Sequence, residues 1–234
     1  MSREQNPVTI VTAAGQGMGE AIARRLDSDG HRLVLMSNSG GAETLAGELG
    51  QVGLIGSVTE TDDLQRLVDR TLSEFGRIDG LVNNTGHAAK GELLDLSDAQ
   101  WNEGLELLLL NVIRMARLVT PHMQDGGSIV NISTFSAFEP DPSFPISSTF
   151  RAGLGAFTKL YADRFAPAGI RMNNVLPGFI ESYPVGADLI SRIPMRRSGT
   201  VEEIAATVAF LLSDGAGYLT GQNIRVDGGI THSV

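Results

Sequence analysis

Residues 12–19, Thr-Ala-Ala-Gly-Gln-Gly-Met-Gly, constrain this chain more than any other stretch. Val8-Thr9-Ile10-Val11 precedes them, a β-branched run that reads as a short buried strand. Glu20-Ala21-Ile22-Ala23-Arg24-Arg25-Leu26 follows with apolar residues at helical spacing, and Gly30 is placed to stop that helix. Strand, glycine-rich turn and helix in that order make a dinucleotide-phosphate site. Small residues let backbone N–H groups approach a pyrophosphate, and the helix N-terminus adds the positive end of its dipole. An ordinary tight βα turn can look the same, but placement in the first βα unit favours the nucleotide.

The rest of the chain repeats the alternation. Strands are expected at 32–36, 52–55, 79–83, 128–132, 171–176 and 223–226. Helices are expected at 42–49, 61–75, 97–123, 151–168 and 201–213, with Gly50 and Gly76 as stops. Thr61 is a candidate N-cap, and Asp62 and Asp63 suit the positive end of its helix. Strands separated by helical crossovers imply a single-domain α/β Rossmann fold over residues 1–234. Its sheet is a doubly wound, parallel, seven-stranded one with helices on both faces. Ligands then bind at the carboxyl ends of the strands, so the turns after Val11, Met36, Asn83, Ile132 and Leu176 surround one crevice.

Composition narrows the function. A chain of 234 residues with 42% apolar and 19% charged residues suits one soluble domain, and its 28 glycines fit many tight turns. A net charge of −9 argues against nucleic acid or an anionic membrane as partner. Without cysteine there is no disulfide, thiolate nucleophile or Cys-ligated metal, and no metal site is expected. The apolar cluster at 105–113 is too short to span a bilayer. Residues 1–7 lack the apolar core of an export signal, so a cytoplasmic protein is expected.

Across nearly the whole chain these motifs resemble the short-chain dehydrogenase/reductase family. Residues 12–19 look like its TGxxxGxG cofactor turn, with Ala13 in place of the first glycine. Asn83-Asn84-Thr85-Gly86 resembles its NNAG motif, and Asn111 falls in its helical asparagine context. Pro177-Gly178 matches the turn beside the nicotinamide. Tyr218-Leu219-Thr220-Gly221-Gln222 with Val226-Asp227-Gly228-Gly229 resembles the C-terminal signature. The resemblance implies an NAD(P)-dependent oxidoreductase acting on a small carbonyl or alcohol. It also implies a homo-oligomer, dimer or tetramer, built on the two long helices and the C-terminal segment. Cofactor contacts are implied at Thr12, Gly15, Gln16, Gly17, Met18, Gly19, Ser37, Asn38, Ser57, Asn84, Gly86, Pro177 and Gly178.

The catalytic segment departs from the pattern. The family places a tyrosine thirteen residues after its serine and a lysine four beyond that. Here the corresponding set is Asn111, Thr134, Ser147 and Arg151, and Tyr161, Tyr183 and Tyr218 each lack a lysine four residues on. A serine hydroxyl is a far weaker acid than a phenol and needs a neighbouring base. Arg151 can give charge and hydrogen bonds to a ribose or an anionic substrate, but it does not relay protons. Thr134 can still polarise a carbonyl. Ser147, Ser148 and Thr149 are alternatively N-caps of the helix carrying Arg151, Arg151 is alternatively a surface residue, and His87 faces either the crevice or solvent. After strand two, Met36-Ser37-Asn38-Ser39 carries no acid to hold ribose hydroxyls, which leans the cofactor from NAD towards NADP. Ser57 replaces a common aspartate near the adenine. The segment 181–194 is short and reads as an open lid without a side-chain code. Two other readings stand beside the oxidoreductase: a nucleotide-binding sensor or partner subunit without redox chemistry, and a non-redox lyase on the same fold.

Overall fold

The computed structural model describes residues 6–183 and 185–233, so the reading of residues 1–5 as free of an export signal lies outside the described residues. Within them β1 (Val8–Thr12), β2 (Arg32–Ser37), β3 (Val52–Ile55), β4 (Gly80–Asn83), β5 (Gly127–Ile132), β6 (Ile170–Pro177) and β7 (Asn223–Val226) form one sheet. Its order is β3-β2-β1-β4-β5-β6-β7, with every pair parallel. This is the doubly wound architecture expected, and the order reverses between β1 and β4.

Strands buried on both faces need no polar alternation, which is why β1 and β4 are buried throughout. Successive side chains still point to opposite layers. Val11, Leu35, Val130 and Val175 pack with α1 (Gly17–Ser28), α2 (Gly41–Leu49) and α8 (Val201–Leu212) through Ile22, Leu26, Leu45 and Val208. Ile10, Val34, Leu81 and Ile129 face the other way. They meet α3 (Thr61–Phe75), α5 (Asn111–Val119) and α6 (Pro145–Phe165) through Leu64, Leu67, Met115 and Tyr161.

Several boundaries differ from expectation, each for a local reason. Helix α6 starts at Pro145, not at 151, with Phe144 at the N-cap, so Ser147, Ser148 and Thr149 lie inside its first turns and do not cap it. Proline at the first helical position loses an N–H that had no partner anyway. Glu60, not Thr61, caps α3, while Asp62 and Asp63 do occupy its first turn. The region 97–123 is not one helix. After α4 (Asp98–Leu105) the leucine-rich Glu106–Leu110 widens into a π turn, α5 begins at Asn111, and Thr120–His122 tightens to 3-10 geometry. A π turn inserts a residue into the helical ladder and so changes which face the following residues present. The segment read as a bare lid carries α7 (Ala187–Arg192).

A line of asparagines runs across four adjacent strands. Asn83 Nδ2 donates to Asn131 Oδ1 at 2.8 Å, Asn131 Nδ2 to Asn174 Oδ1 at 2.8 Å, and Asn174 Nδ2 to Asn223 Oδ1 at 2.7 Å. Each pair is also a register pair of the sheet. The Thr158 hydroxyl donates to Asn174 Oδ1 at 2.9 Å, which ties α6 to the same line. Replacing Asn131 by alanine strands a buried donor on Asn83, while Asn174 Oδ1 keeps the Thr158 hydroxyl. Asn131→Ala should therefore cost about 1–3 kcal/mol for the Asn83 donor left unpaired, read from the urea unfolding midpoint.

Candidate functional site

The carboxyl ends of β1, β4, β5 and β6 meet at the reversal of strand order, and two side chains lock the first two together. Thr12 Oγ1 donates to the Asn84 carbonyl at 2.7 Å and accepts the Asn84 N–H at 3.0 Å. Asn84 Nδ2 donates to the Ala13 carbonyl at 3.2 Å, bracing the glycine turn from the β4 side. Ala13 holds φ 47°, a left-handed conformation that the family's glycine would adopt without strain. Gly19 admits no side chain, since a Cβ there would lie 2.1 Å from the Ala13 carbonyl oxygen. Gly17 has φ 57°, and a Cβ on it would meet only the Ser182 Cβ, at 3.7 Å. The turn thus keeps an open cradle at Gly17 in front of the N-terminus of α1.

The nucleotide contacts expected further out are partly engaged within the protein. Ser37 is buried; its hydroxyl donates to the Ser39 carbonyl at 2.6 Å and accepts the Ala42 N–H at 3.0 Å. Gly15 packs beside it, its would-be Cβ 3.0 Å from that hydroxyl. Gln16 and Asn38 are exposed. Ser57 shares a hydrogen bond with the Thr59 hydroxyl, while its N–H goes to Asp63, whose carboxyl is held below its ordinary value chiefly by that bond.

A cavity of about 140 Å³ opens beside the turn, the room needed by roughly one aromatic ring. Met18, Asn84, Gly86, Thr134, Ser147, Arg151, Pro177 and Gly178 all line it, so most of the expected inner site converges. Asn111 does not line it. It is buried at the start of α5, just after the π turn, and its Oδ1 has no partner. Thr134 Oγ1 accepts from Ser136 N and Ser136 Oγ at 3.4 and 3.3 Å, which leaves its own proton free to give. Two further residues that line the cavity, Thr85 and Ser133, carry hydroxyls that are buried and have no partner among the described residues. Such groups are rare and need an explanation.

Arg151 is buried, not on the surface, with 8% exposure. Its Nη1 donates to the Ile132 carbonyl, and burial pushes its pKa down to about 10, still protonated at neutral pH. His87 sits at the cavity wall against Tyr183, ring centroids 5.7 Å apart. Partial burial first, then the charges of Lys90 and Arg151, hold its pKa below the ordinary imidazole value.

Sequence spacing missed one pair. Lys90 Nζ donates to the Tyr183 hydroxyl at 2.5 Å, and both residues line the cavity. A search for lysine four residues after tyrosine could not find it, because the partners are 93 residues apart and meet only when the loops after β4 and β6 face each other. The segment read as lacking a side-chain code therefore contributes Ser182 and Tyr183 to the wall.

Comparison with known proteins follows the same outline. Residues 12–231 match the family described as enoyl-(acyl carrier protein) reductase. The chain is 33% identical over 246 residues to a 3-oxoacyl-[acyl-carrier-protein] reductase FabG of Thermotoga maritima, covering 97% of this chain and 99% of that one. It is 34% identical over 250 residues to dehydrogenase/reductase SDR family member 4 of Caenorhabditis elegans, at 97% and 96% coverage. The FabG reductase of Escherichia coli K12 is 33% identical over 238 residues, at 97% and 98%.

Proposed function

This chain belongs to the short-chain dehydrogenase/reductase family, and from that premise we propose that it is an NAD(P)(H)-dependent oxidoreductase for a small carbonyl or alcohol, working with an altered catalytic set. The observation that carries the reading is the open cradle at Gly17, set in front of the α1 N-terminus and beside a cavity built from the ends of β4, β5 and β6. A dinucleotide fits these residues: backbone N–H groups of the turn and the dipole of α1 suit its phosphates, and Pro177, Gly178 and Ser182 border the cavity where a nicotinamide would lie. When bound, the cofactor supplies or accepts two reducing electrons. The absence of a carboxylate from residues 37–41 supports room for a 2′-phosphate, hence NADP.

Within this set Thr134 gives a hydrogen bond to the carbonyl oxygen, and Arg151 adds fixed positive charge. Ser147 stands at the usual tyrosine position with a hydroxyl too weakly acidic to protonate an unactivated ketone unaided. Turnover of simple ketones is accordingly weak. The same deficit favours the second reading, a nucleotide-binding protein without turnover.

Assembly as a dimer or tetramer is part of the proposal. It is supported by Leu160 of α6, 68% exposed, and by half-buried Leu105, Leu109 and Leu110 on the neighbouring helical region. Light scattering at micromolar concentration should give a multiple of 24.8 kDa, and the monomer mass would refute it. Gly17→Val fills the cradle and forces a β-branched residue to positive φ, so NADP+ affinity by calorimetry should fall at least tenfold. Ser147→Tyr combined with Arg151→Lys should raise NADPH-dependent reduction of neutral ketones by roughly 10²–10⁴-fold. Ordinary ketone reduction by the unaltered protein would mean another group donates the proton. If neither protein turns over while both bind nucleotide, the second reading holds.

A further inference from the structure

The cavity contains a charge that the protein does not balance. Arg151 is more than nine-tenths buried, its lowered proton affinity has burial as its cause, and no described residue lining the cavity is a carboxylate that could oppose it. The Ile132 carbonyl accepts one of its hydrogen bonds, fixing the guanidinium in place without neutralising it. A cation removed from water is strongly disfavoured unless an anion joins it.

The surroundings sharpen the point. Acids outnumber bases 27 to 18 in this chain, yet none of the described residues lining the cavity is Asp or Glu. Lys90 adds a second cation on the wall, and burial, then the charges of Lys90 and Arg151, lower the proton affinity of His87. Ser133 Oγ and Thr85 Oγ1 lie buried behind the wall with no partner among the described residues. Phe135, Phe144 and Phe179 give the cavity an aromatic side. The planar fork of a guanidinium matches a carboxylate better than it matches single hydroxyls.

We propose that the substrate is a small oxo acid, its carboxylate held by Arg151 and its apolar part against the aromatic side. The proposal rests on the oxidoreductase reading above. In reduction the carbonyl carbon gains a hydrogen with its electron pair from the reduced cofactor and the oxygen gains a proton, giving a hydroxy acid. A carbonyl polarised by charge in a water-poor cavity makes less demand on the weak acid at Ser147.

The test compares benzoylformate with its neutral methyl ester by calorimetry, on the full-length protein with and without saturating NADP+. The acid should bind the unaltered protein at least tenfold more tightly than the ester in both conditions. Arg151→Met should equalise the two ligands, and Arg151→Lys should keep part of the preference. Equal affinity for acid and ester in the unaltered protein, or binding of neither, overturns the proposal without reference to any variant. So does a preference that survives in folded Arg151→Met. Loss of acid binding on saturation with NADP+ also overturns it, by assigning Arg151 to a phosphate of the nucleotide. Failure to bind NADP+ at all would sink the oxidoreductase reading instead, and the acid–ester comparison on the nucleotide-free protein would then decide this one.

Discussion

Four asparagines hold β4, β5, β6 and β7 in register, and the site depends on that alignment. Parallel strands rich in Val, Ile and Leu present much the same apolar surface at many registers. The amides remove this freedom, because a slip by one residue turns each side chain to the opposite face and leaves buried polar groups without partners. Asn83 is followed at once by Asn84, which braces the glycine turn. Asn131 lies just ahead of Ile132, Ser133 and Thr134, and Asn174 lies three residues ahead of Pro177. The buried amides thus set the positions of the loops that line the cavity. Thr158 extends the same network into α6, the helix that carries Ser147 and Arg151.

Much of the fold was legible because its signals are local. The β3 and β7 boundaries and those of α3 follow from short β-branched runs, an amphipathic period and a glycine stop; Gly76 adopts φ 71° as the residue ending α3. The first turns of α6 were not legible, since Ile146, Ser147, Ser148 and Thr149 are poor helix formers held by packing. Ile146 is fully buried and fills the space left by Gly104 of α4. Pro145 was the available signal for that start. The π turn gave none, because a run of leucines has no period to break.

The site divides along the same line. Residues fixed by motif, Met18, Asn84, Gly86, Pro177 and Gly178, reach the cavity together with Thr134, Ser147 and Arg151. The contact between Lys90 and Tyr183 and the unpartnered Ser133 hydroxyl depend on how separate loops face each other, and spacing carries no information about that. Ser133 and Thr134 are adjacent in sequence yet differ in state: Thr134 accepts from Ser136, while Ser133 Oγ has no partner.

The acid-free cavity sits in a molecule of net charge −9, and this has a kinetic consequence. An anion approaching a molecule of this charge meets net repulsion at long range, and the Lys90 and Arg151 charges act on it only within about the screening distance of 8 Å at physiological salt. Capture is then slow at low ionic strength and quickens as added salt shortens the repulsion, the reverse of electrostatic steering between opposite charges. In the proposed complex the anion's contact with the buried Arg151 is screened by salt less than this long-range repulsion is, so escape changes little. Ionic strength would therefore act mainly on the rate of arrival.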